Sequence, residues 1–411
     1  MKLVVENIER VRKAEIQLDG ITVLAGKNGS GKTTLLKLLE AFVLLNGNQE
    51  EIVQDERKRS IADAVPGWVV ALLKANGKAL AKEGFSISNE QFVSWIVHHK
   101  TPLTNEDCLS AMDLDKFFST GSPVISKEMN EQLQVINTAL LREDKPYLAF
   151  ASTKLVRKLF NGGFSSILSK GDAVAKFSWD NEHESVMTGL QQSFSFKSME
   201  NHPCTSLVFS VPRSFITMDE NGIAHYDNYL LKERNYQEES LENAQELENN
   251  TNIIKDLIAS IIHGKFVVSS GIKKDVLFKD DEIGAELALC NTASGVLPFA
   301  VIDRAISNGT LRKNGVVIID EPEMNIHPEW QVKFASLLVS LYKQMGIRTM
   351  LATHSPFFIR AMERALVNEE VRDMSSFYLM TREEDAYYSA KDVSKNTALM
   401  YDELFAAIQG L

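Results

Sequence analysis

Apolar and polar positions alternate in different ways along this chain of 411 residues, and each change of rhythm marks a different kind of element. Residues 3–5 and 14–18 are short β-prone runs around a charged turn at 9–13, and residues 21–25 are an unbroken apolar run of buried-strand type. Residues 34–45 switch to a helix, with Leu35, Leu36, Leu38, Leu39 and Phe42 on its apolar side. From 46 to 170 the texture is helical. Ile61, Val65, Val69, Val70 and Leu73 recur at helical spacing, with a boundary expected at Pro66-Gly67, and 92–97, 129–141 and 153–160 read as further helices. Residues 173–211 turn to strands at 174–179, 185–190, 194–198 and 206–211, separated by polar turns. A helical, acidic stretch at 230–262 carries Glu233, Glu238, Glu239, Glu242, Glu246 and Glu248; without sustained heptads it predicts a solvated helix face, not a coiled coil. Short strands return at 267–290, followed by a helix near 299–307. From Gly315 strand and helix alternate: strands 316–319, 348–352 and 376–380, helices 329–345, 356–365 and 398–408. That last rhythm is the mark of a parallel sheet with crossover helices.

These rhythms divide the chain into an N-terminal lobe (1–45 and 171–229) with an antiparallel β subdomain, a helical insertion (46–170), an acidic helical segment (230–265), a C-terminal lobe (266–380) and a C-terminal docking segment (381–411). Hydrophobic content of 44% and charged content of 24% describe an ordinary globular chain. No apolar run approaches the ~20 residues that cross a bilayer, so no membrane partner is expected. The first residues read as a strand and not as a signal peptide, and Cys108, Cys204 and Cys290 have no framework spacing; both fit a reducing, cytoplasmic location. A net charge of −11 argues against a surface that coats DNA, yet leaves room for a local basic groove, to which Lys154, Arg157 and Lys158 could contribute.

The chemistry begins at Gly26-Lys27-Asn28-Gly29-Ser30-Gly31-Lys32-Thr33-Thr34, a full G-x-x-x-x-G-K-[ST] match between a strand and a helix. Loop amides and a helix N-terminus bind anionic oxygens, and glycine lets the backbone come close to them. Lys32 then reaches the β- and γ-phosphates of a nucleoside triphosphate, and the Thr33 hydroxyl meets Mg²⁺. A second element, Val316-Val317-Ile318-Ile319-Asp320-Glu321, is a buried strand ending in two carboxylates. Beside a phosphate loop, Asp320 would hold the Mg²⁺ shell and Glu321 would polarise the attacking water.

Pro322-Glu323-Met324-Asn325-Ile326-His327-Pro328, with Gln331 close behind, is not expected from sheet topology alone. Here the chain resembles ABC-type ATPases related to RecF, SMC and the OLD family, particularly their stand-alone AAA relatives, over about residues 1–45 and 170–380. The resemblance implies an α/β fold: a P-loop NTPase of ABC-ATPase type with an antiparallel β subdomain and a helical insertion. It makes Asp320 and Glu321 the Walker B pair, and turns residues 325–328 toward a second subunit. It makes His354, in Ala352-Thr353-His354-Ser355-Pro356, the switch histidine near the γ-phosphate, and Ser294-Gly295 a reduced ABC signature, with Val296 where the family carries a polar residue. A residue that senses Mg²⁺ is also implied; Arg213, Gln191 and Gln192 are the candidates.

The cofactors implied are ATP and Mg²⁺, sandwiched in a head-to-tail dimer in which the phosphate loop of each subunit faces the signature of the other. Only about 55 residues follow His354 and they hold no Asp-x-Asp, so a nuclease centre of OLD type is not expected in this chain and an effector would act in trans. The first expectation is therefore a regulatory ATPase resembling those of the PARIS and Septu anti-phage systems, partnered with a nuclease or toxin encoded by a neighbouring gene. The alternative is a RecF- or SMC-like ATPase that binds DNA in repair or chromosome maintenance.

Overall fold

The computed structural model describes residues 1–47, 49–80, 89–112, 123–161, 171–180, 182–190, 193–197, 206–210, 216–218, 224–226, 241–269, 276–288, 292 and 294–406. They fall into two compact units, one of Met1–Gly47 with Val156–Leu411 and one of Asn48–Leu155.

The first unit is built on a sheet that runs β6-β5-β4-β1-β2-β16-β15-β3-β14-β13-β7 among the described residues. In chain order its strands are β1 (Lys2–Ile8), β2 (Val11–Gln17), β3 (Ile21–Ala25), β4 (Ala173–Ser178), β5 (Glu184–Leu190), β6 (Ser193–Lys197), β7 (Ser206–Ser210), β13 (Val316–Asp320), β14 (Arg348–Thr353), β15 (Ser375–Arg382) and β16 (Tyr388–Asp392). Two small sheets intervene: the pair β8 (Ile216–Met218) with β9 (Ala224–Tyr226), and β10 (Gly264–Val268), β11 (Val276–Asp280) and β12 (Glu286–Ala288). The neighbours β7, β13, β14, β3 and β15 all pair in parallel. Beyond β16 and β2 the sheet continues through β1, β4, β5 and β6 in antiparallel pairs.

This division follows from burial. β3 is buried at every position and β13 at its first four, as strands covered on both faces must be. β1 and β2 bury Leu3, Val5, Ile8, Val11, Ala14 and Ile16 in near alternation, the pattern of a half-covered antiparallel flank. Helix α1 (Lys32–Gly47) spans the two regions: Phe42 stacks on Phe177 of β4 at 5.6 Å between ring centroids. α7 (Leu241–Ile262), α8 (Leu297–Ser307), α9 (Pro328–Met345) and α10 (Pro356–Asn368) contribute Ile254, Phe299, Phe334, Leu338 and Phe358 to one core with β3, β13 and β14. The chain closes with α11 (Ala398–Phe405). No described helix is long and apolar enough to cross a membrane.

The second unit holds α2 (Gln49–Leu80), α3 (Asn89–Val97), α4 (Asn105–Ala111) and α5 (Lys127–Leu141), and α6 (Asp144–Leu159) begins within it. α2 runs straight through Pro66, where a boundary was expected. A mid-helix proline costs about 3 kcal/mol. Here Ile61, Val65, Trp68 and Leu72 remain one buried stripe across it, and their packing against Phe92, Ile96, Leu133 and Ile136 offsets that cost. The Trp68 indole donates to Asn105 Oδ1 (2.8 Å), so the largest buried side chain leaves no polar atom unmet. The adjacent His98 and His99, just past the end of α3, lie against the carbonyls of Ser94 and Trp95, four residues back in that helix.

Two further observations depart from the sequence reading. Residues 388–392, expected in a docking segment, form β16 inside the central sheet, parallel to β2 and antiparallel to β15. Residues 230–240 of the acidic segment lie outside the described residues.

Gly346, which closes α9, has φ +63 and no room for a side chain: a Cβ would lie 2.5 Å from Asn314 Oδ1. Gly346→Ala should therefore destabilise the first unit by about 1–2 kcal/mol from the left-handed backbone alone. The measurement is a lower urea midpoint at unchanged m; an unchanged midpoint would contradict the strain argument.

Candidate functional site

The site is assembled by strand ends. Thr353 of β14 pairs with Ala25 of β3, and Ala352 pairs with Asp320 of β13. Because the three strands are parallel, Gly26, His354 and Glu321 leave the sheet together at its carboxyl edge, where ligand-binding loops of such sheets lie.

After β3 the chain turns sharply back through the phosphate loop. Gly29 and Gly31 have φ +74 and +92, and a Cβ on Gly31 would lie 2.6 Å from Val11 Cγ2. Lys32 starts α1 with its side chain folded over the loop; Nζ donates to the carbonyls of Gly26 (2.7 Å) and Lys27 (3.0 Å). Burial lowers the Lys32 pKa, opposed by the carboxylates of Asp320, Glu321 and Glu323. Ser30 Oγ is buried without a hydrogen-bond partner. A lysine ammonium, an unmet buried hydroxyl and a glycine-lined turn opening a helix together fit the triphosphate of ATP.

The turn between β1 and β2 clasps this loop, a role the sequence reading did not assign. The Arg10 guanidinium donates to the Gly29 carbonyl (3.3 Å), and the Glu9 carboxylate accepts from the Thr34 hydroxyl. On the other side of the loop, Lys27 is paired with Glu403 of α11 (2.9 Å). Two charged residues in a tight turn were the only local signal for Glu9 and Arg10. The contact joins residues about twenty positions apart, and periodicity does not report it.

The two carboxylates follow from β13. Asp320 Oδ2 accepts from the Thr33 hydroxyl at 2.7 Å, so the two residues expected to hold Mg²⁺ are in contact. Such an oxygen pair is the hard donor set Mg²⁺ takes beside nucleotide phosphates. Burial raises the Asp320 pKa first; the Thr33 hydrogen bond opposes this, and Glu321 adds to it. Glu321 is a non-glycine residue with φ +52, held there as its N–H donates to the Ala352 carbonyl (2.8 Å). Backbone kept in that region costs on the order of 1–3 kcal/mol, and such strain gathers at functional sites.

His354 stands beside Glu321, with Nδ1 3.4 Å from Glu321 Oε1 and 3.5 Å from Glu323 Oε1. Glu323, which the sequence showed only as the second glutamate of a motif, also accepts from the Thr353 hydroxyl (2.7 Å) and the His354 N–H (3.2 Å). Its backbone shapes the next loop. Gln331 Nε2 donates to the carbonyls of Ile326 (3.0 Å) and Glu323 (3.4 Å), while Asn325, His327 and Pro328 are exposed and Asn325 has φ +59.

Ser294 and Gly295 are brought to that same loop. They begin a 3-10 turn ahead of α8, and a Cβ on Gly295 would lie 3.2 Å from the Trp330 ring and 3.5 Å from the Asn325 carbonyl. Lys32, Thr33, Asp320, Glu321 and His354 thus converge at one sheet edge, and Gly295 packs on Asn325 and Trp330. Arg213, Gln191 and Gln192 lie outside the described residues.

The family model described as AAA ATPase domain matches residues 1–359. Among solved structures, the SMC head domain from Thermotoga maritima aligns at 10% identity and TM-score 0.37, covering 95% of this chain and 98% of that one. An SmcHead bound to the C-winged helix domain of ScpA gives 10% identity and TM-score 0.41, covering 97% and 98%. An Smc head domain with an extended coiled coil, bound to the C-terminal domain of ScpA and derived from Pyrococcus furiosus, gives 9% and 0.35, covering 99% and 98%. No curated protein matches the sequence.

The Asp320 shift carries a sign that can be tested. A carboxyl whose pKa is raised by folding is harder to ionise in the folded chain than in the unfolded one. Its ionisation therefore opposes folding as pH rises through the ordinary carboxylate range near 4. Asp320→Asn should raise the thermal midpoint of the nucleotide-free protein at pH 7. The gain should shrink toward pH 4, and calorimetry across that range measures it.

Proposed function

Since the chain belongs to the AAA ATPase domain family, we propose that it is an ATP-binding, ATP-hydrolysing switch that dimerises around nucleotide and governs a separate effector. The observation that carries this reading is the convergence of Lys32, Thr33, Asp320, Glu321 and His354 at the ends of three adjacent parallel strands.

The loop amides of 26–33, Ser30 and Lys32 hold the β- and γ-phosphates. Thr33 and Asp320 hold Mg²⁺, which when bound neutralises charge on the phosphate oxygens. Glu321 orients a water and takes its proton as the water oxygen bonds to the γ-phosphorus and the bond to the β-bridging oxygen breaks, leaving ADP and phosphate. His354, beside Glu321, would contact the γ-phosphate. Asn325, His327 and Pro328 are exposed on the loop that packs over Gly295, which suits this loop to receive the nucleotide face of a second copy of this chain in a head-to-tail dimer. ATP then favours the closed dimer through contacts made only in that state, and hydrolysis removes them.

The resemblance to ATPase subunits of anti-phage systems extends the reading to the effector, a nuclease or toxin from a neighbouring gene that the ATPase holds and releases in bacterial defence. DNA binding is the competing role. Of the basic residues considered for it, Lys154 is paired with Glu56 at 3.2 Å. Tight binding that falls steeply with salt would favour the DNA-binding role.

Lys32→Ala should abolish ATP binding, measured by equilibrium dialysis; retained affinity would remove the phosphate-loop assignment. Glu321→Gln should keep ATP binding within about threefold and lower turnover by about 10²–10⁴, the range of a general base. The same variant should accumulate a dimer with ATP in light scattering. Wild-type turnover in Glu321→Gln would show that another group positions the water.

A further inference from the structure

The Glu323 carboxylate is buried, with 8% of its side chain exposed, and its Oε2 has no hydrogen-bond partner. A carboxylate taken out of water with an oxygen unmet is unfavourable, and in a core built for stability alone an apolar side chain would serve better. Its other oxygen is fully engaged. Oε1 accepts from the Thr353 hydroxyl at 2.7 Å and from the His354 N–H at 3.2 Å, and it lies 3.5 Å from His354 Nδ1. The imidazole nitrogen is thus nearly equidistant from Glu323 and from Glu321 Oε1, at 3.4 Å. Both separations exceed a good N–H···O bond, so a shift of a few tenths of an ångström decides which carboxylate the ring meets.

What holds Glu323 itself is its backbone. Its carbonyl accepts from the Ile326 N–H (3.3 Å) and from Gln331 Nε2 (3.4 Å), inside the loop whose residues Asn325, His327 and Pro328 are exposed. Its side chain reaches the turn after β14, and its main chain closes the surface loop. We propose that Glu323 is the positioning residue for His354: through the Thr353 hydroxyl and the His354 N–H it fixes the backbone that carries the histidine beside Glu321, and it anchors that placement to the 325–328 loop. The inference rests on the ATPase reading above.

A positioning residue acts through the group it positions, so its effect vanishes when that group is gone. Wild-type turnover and the loss caused by His354→Ala are measured first. Absence of turnover overturns the function proposed above; turnover with no loss in His354→Ala leaves that function intact and overturns this inference. With both present, Glu323→Ala should lower kcat at least tenfold with KM for ATP within threefold. Glu323→Gln, which keeps an acceptor for Thr353 and the His354 N–H, should restore most of it. In a His354→Ala background Glu323→Ala should cost less than a further threefold. A full-sized loss in that background, a KM rise that accounts for the defect, or wild-type turnover in Glu323→Ala would overturn the positioning role while leaving the ATPase reading intact. If Glu323→Ala does not fold, the same cycle is run with Thr353→Val, which removes the other end of the 2.7 Å bond; additive losses there overturn the proposal equally.

Discussion

Parallel pairing of β14 with both β3 and β13 is the constraint on which the rest of this molecule depends. Thr353 stands opposite Ala25 and Ala352 opposite Asp320, so three turns of chain leave the sheet at one level. A slip of one residue in either ladder would send each inward side chain to the opposite face. It would also separate the Thr33 hydroxyl from Asp320, 287 residues away in sequence, and His354 from Glu321 on the neighbouring strand end. The apolar residues of β3, β13 and β14 lock that register because they are buried on both faces.

Against this rigid frame the site itself is full of unfavourable placements. Lys32 and Asp320 are held in surroundings that resist their charges, Glu321 and Asn325 occupy left-handed backbone, and Ser30 Oγ and Glu323 Oε2 are buried without partners. Each would be repaired by a simple substitution in a protein selected for stability alone. Such placements beside the phosphate loop fit a binding site in which the scaffold offsets the cost of pre-arranged polar groups. The scaffold does so with the core shared by α7 to α10 and with the clasp that Glu9, Arg10 and Glu403 place around the phosphate loop.

How much of this was legible before the structure depends on the range of each interaction. The phosphate loop was readable because it is a contiguous local motif: strand, glycine turn and helix follow one another within about twenty residues. The strand ending in Asp320-Glu321 and the turn at His354 were readable as buried runs meeting polar residues. Three elements were not readable. β16 (Tyr-Ser-Ala-Lys-Asp) has no apolar alternation and is a strand only because β2 and β15 both offer it hydrogen bonds. α2 ignores Pro66 because tertiary burial of its stripe outweighs a local break signal. The role of Glu323 is invisible because a glutamate after Asp-Glu-Pro looks the same whether it faces solvent or a histidine.

By itself, then, the sequence determined the chemistry available: a triphosphate cradle, a pair of carboxylates at a strand end, and a histidine after the next strand. Those depend on residue type and on spacing within single elements, which the chain carries locally. Only the tertiary structure decided which of these groups meet. Thr33 touches Asp320, His354 lies between Glu321 and Glu323, and Gly295 packs on Trp330, because the order of strands in a sheet is set by competition among all possible pairings. That competition is resolved by burying the most apolar strands at the centre, and it is a property of the whole fold.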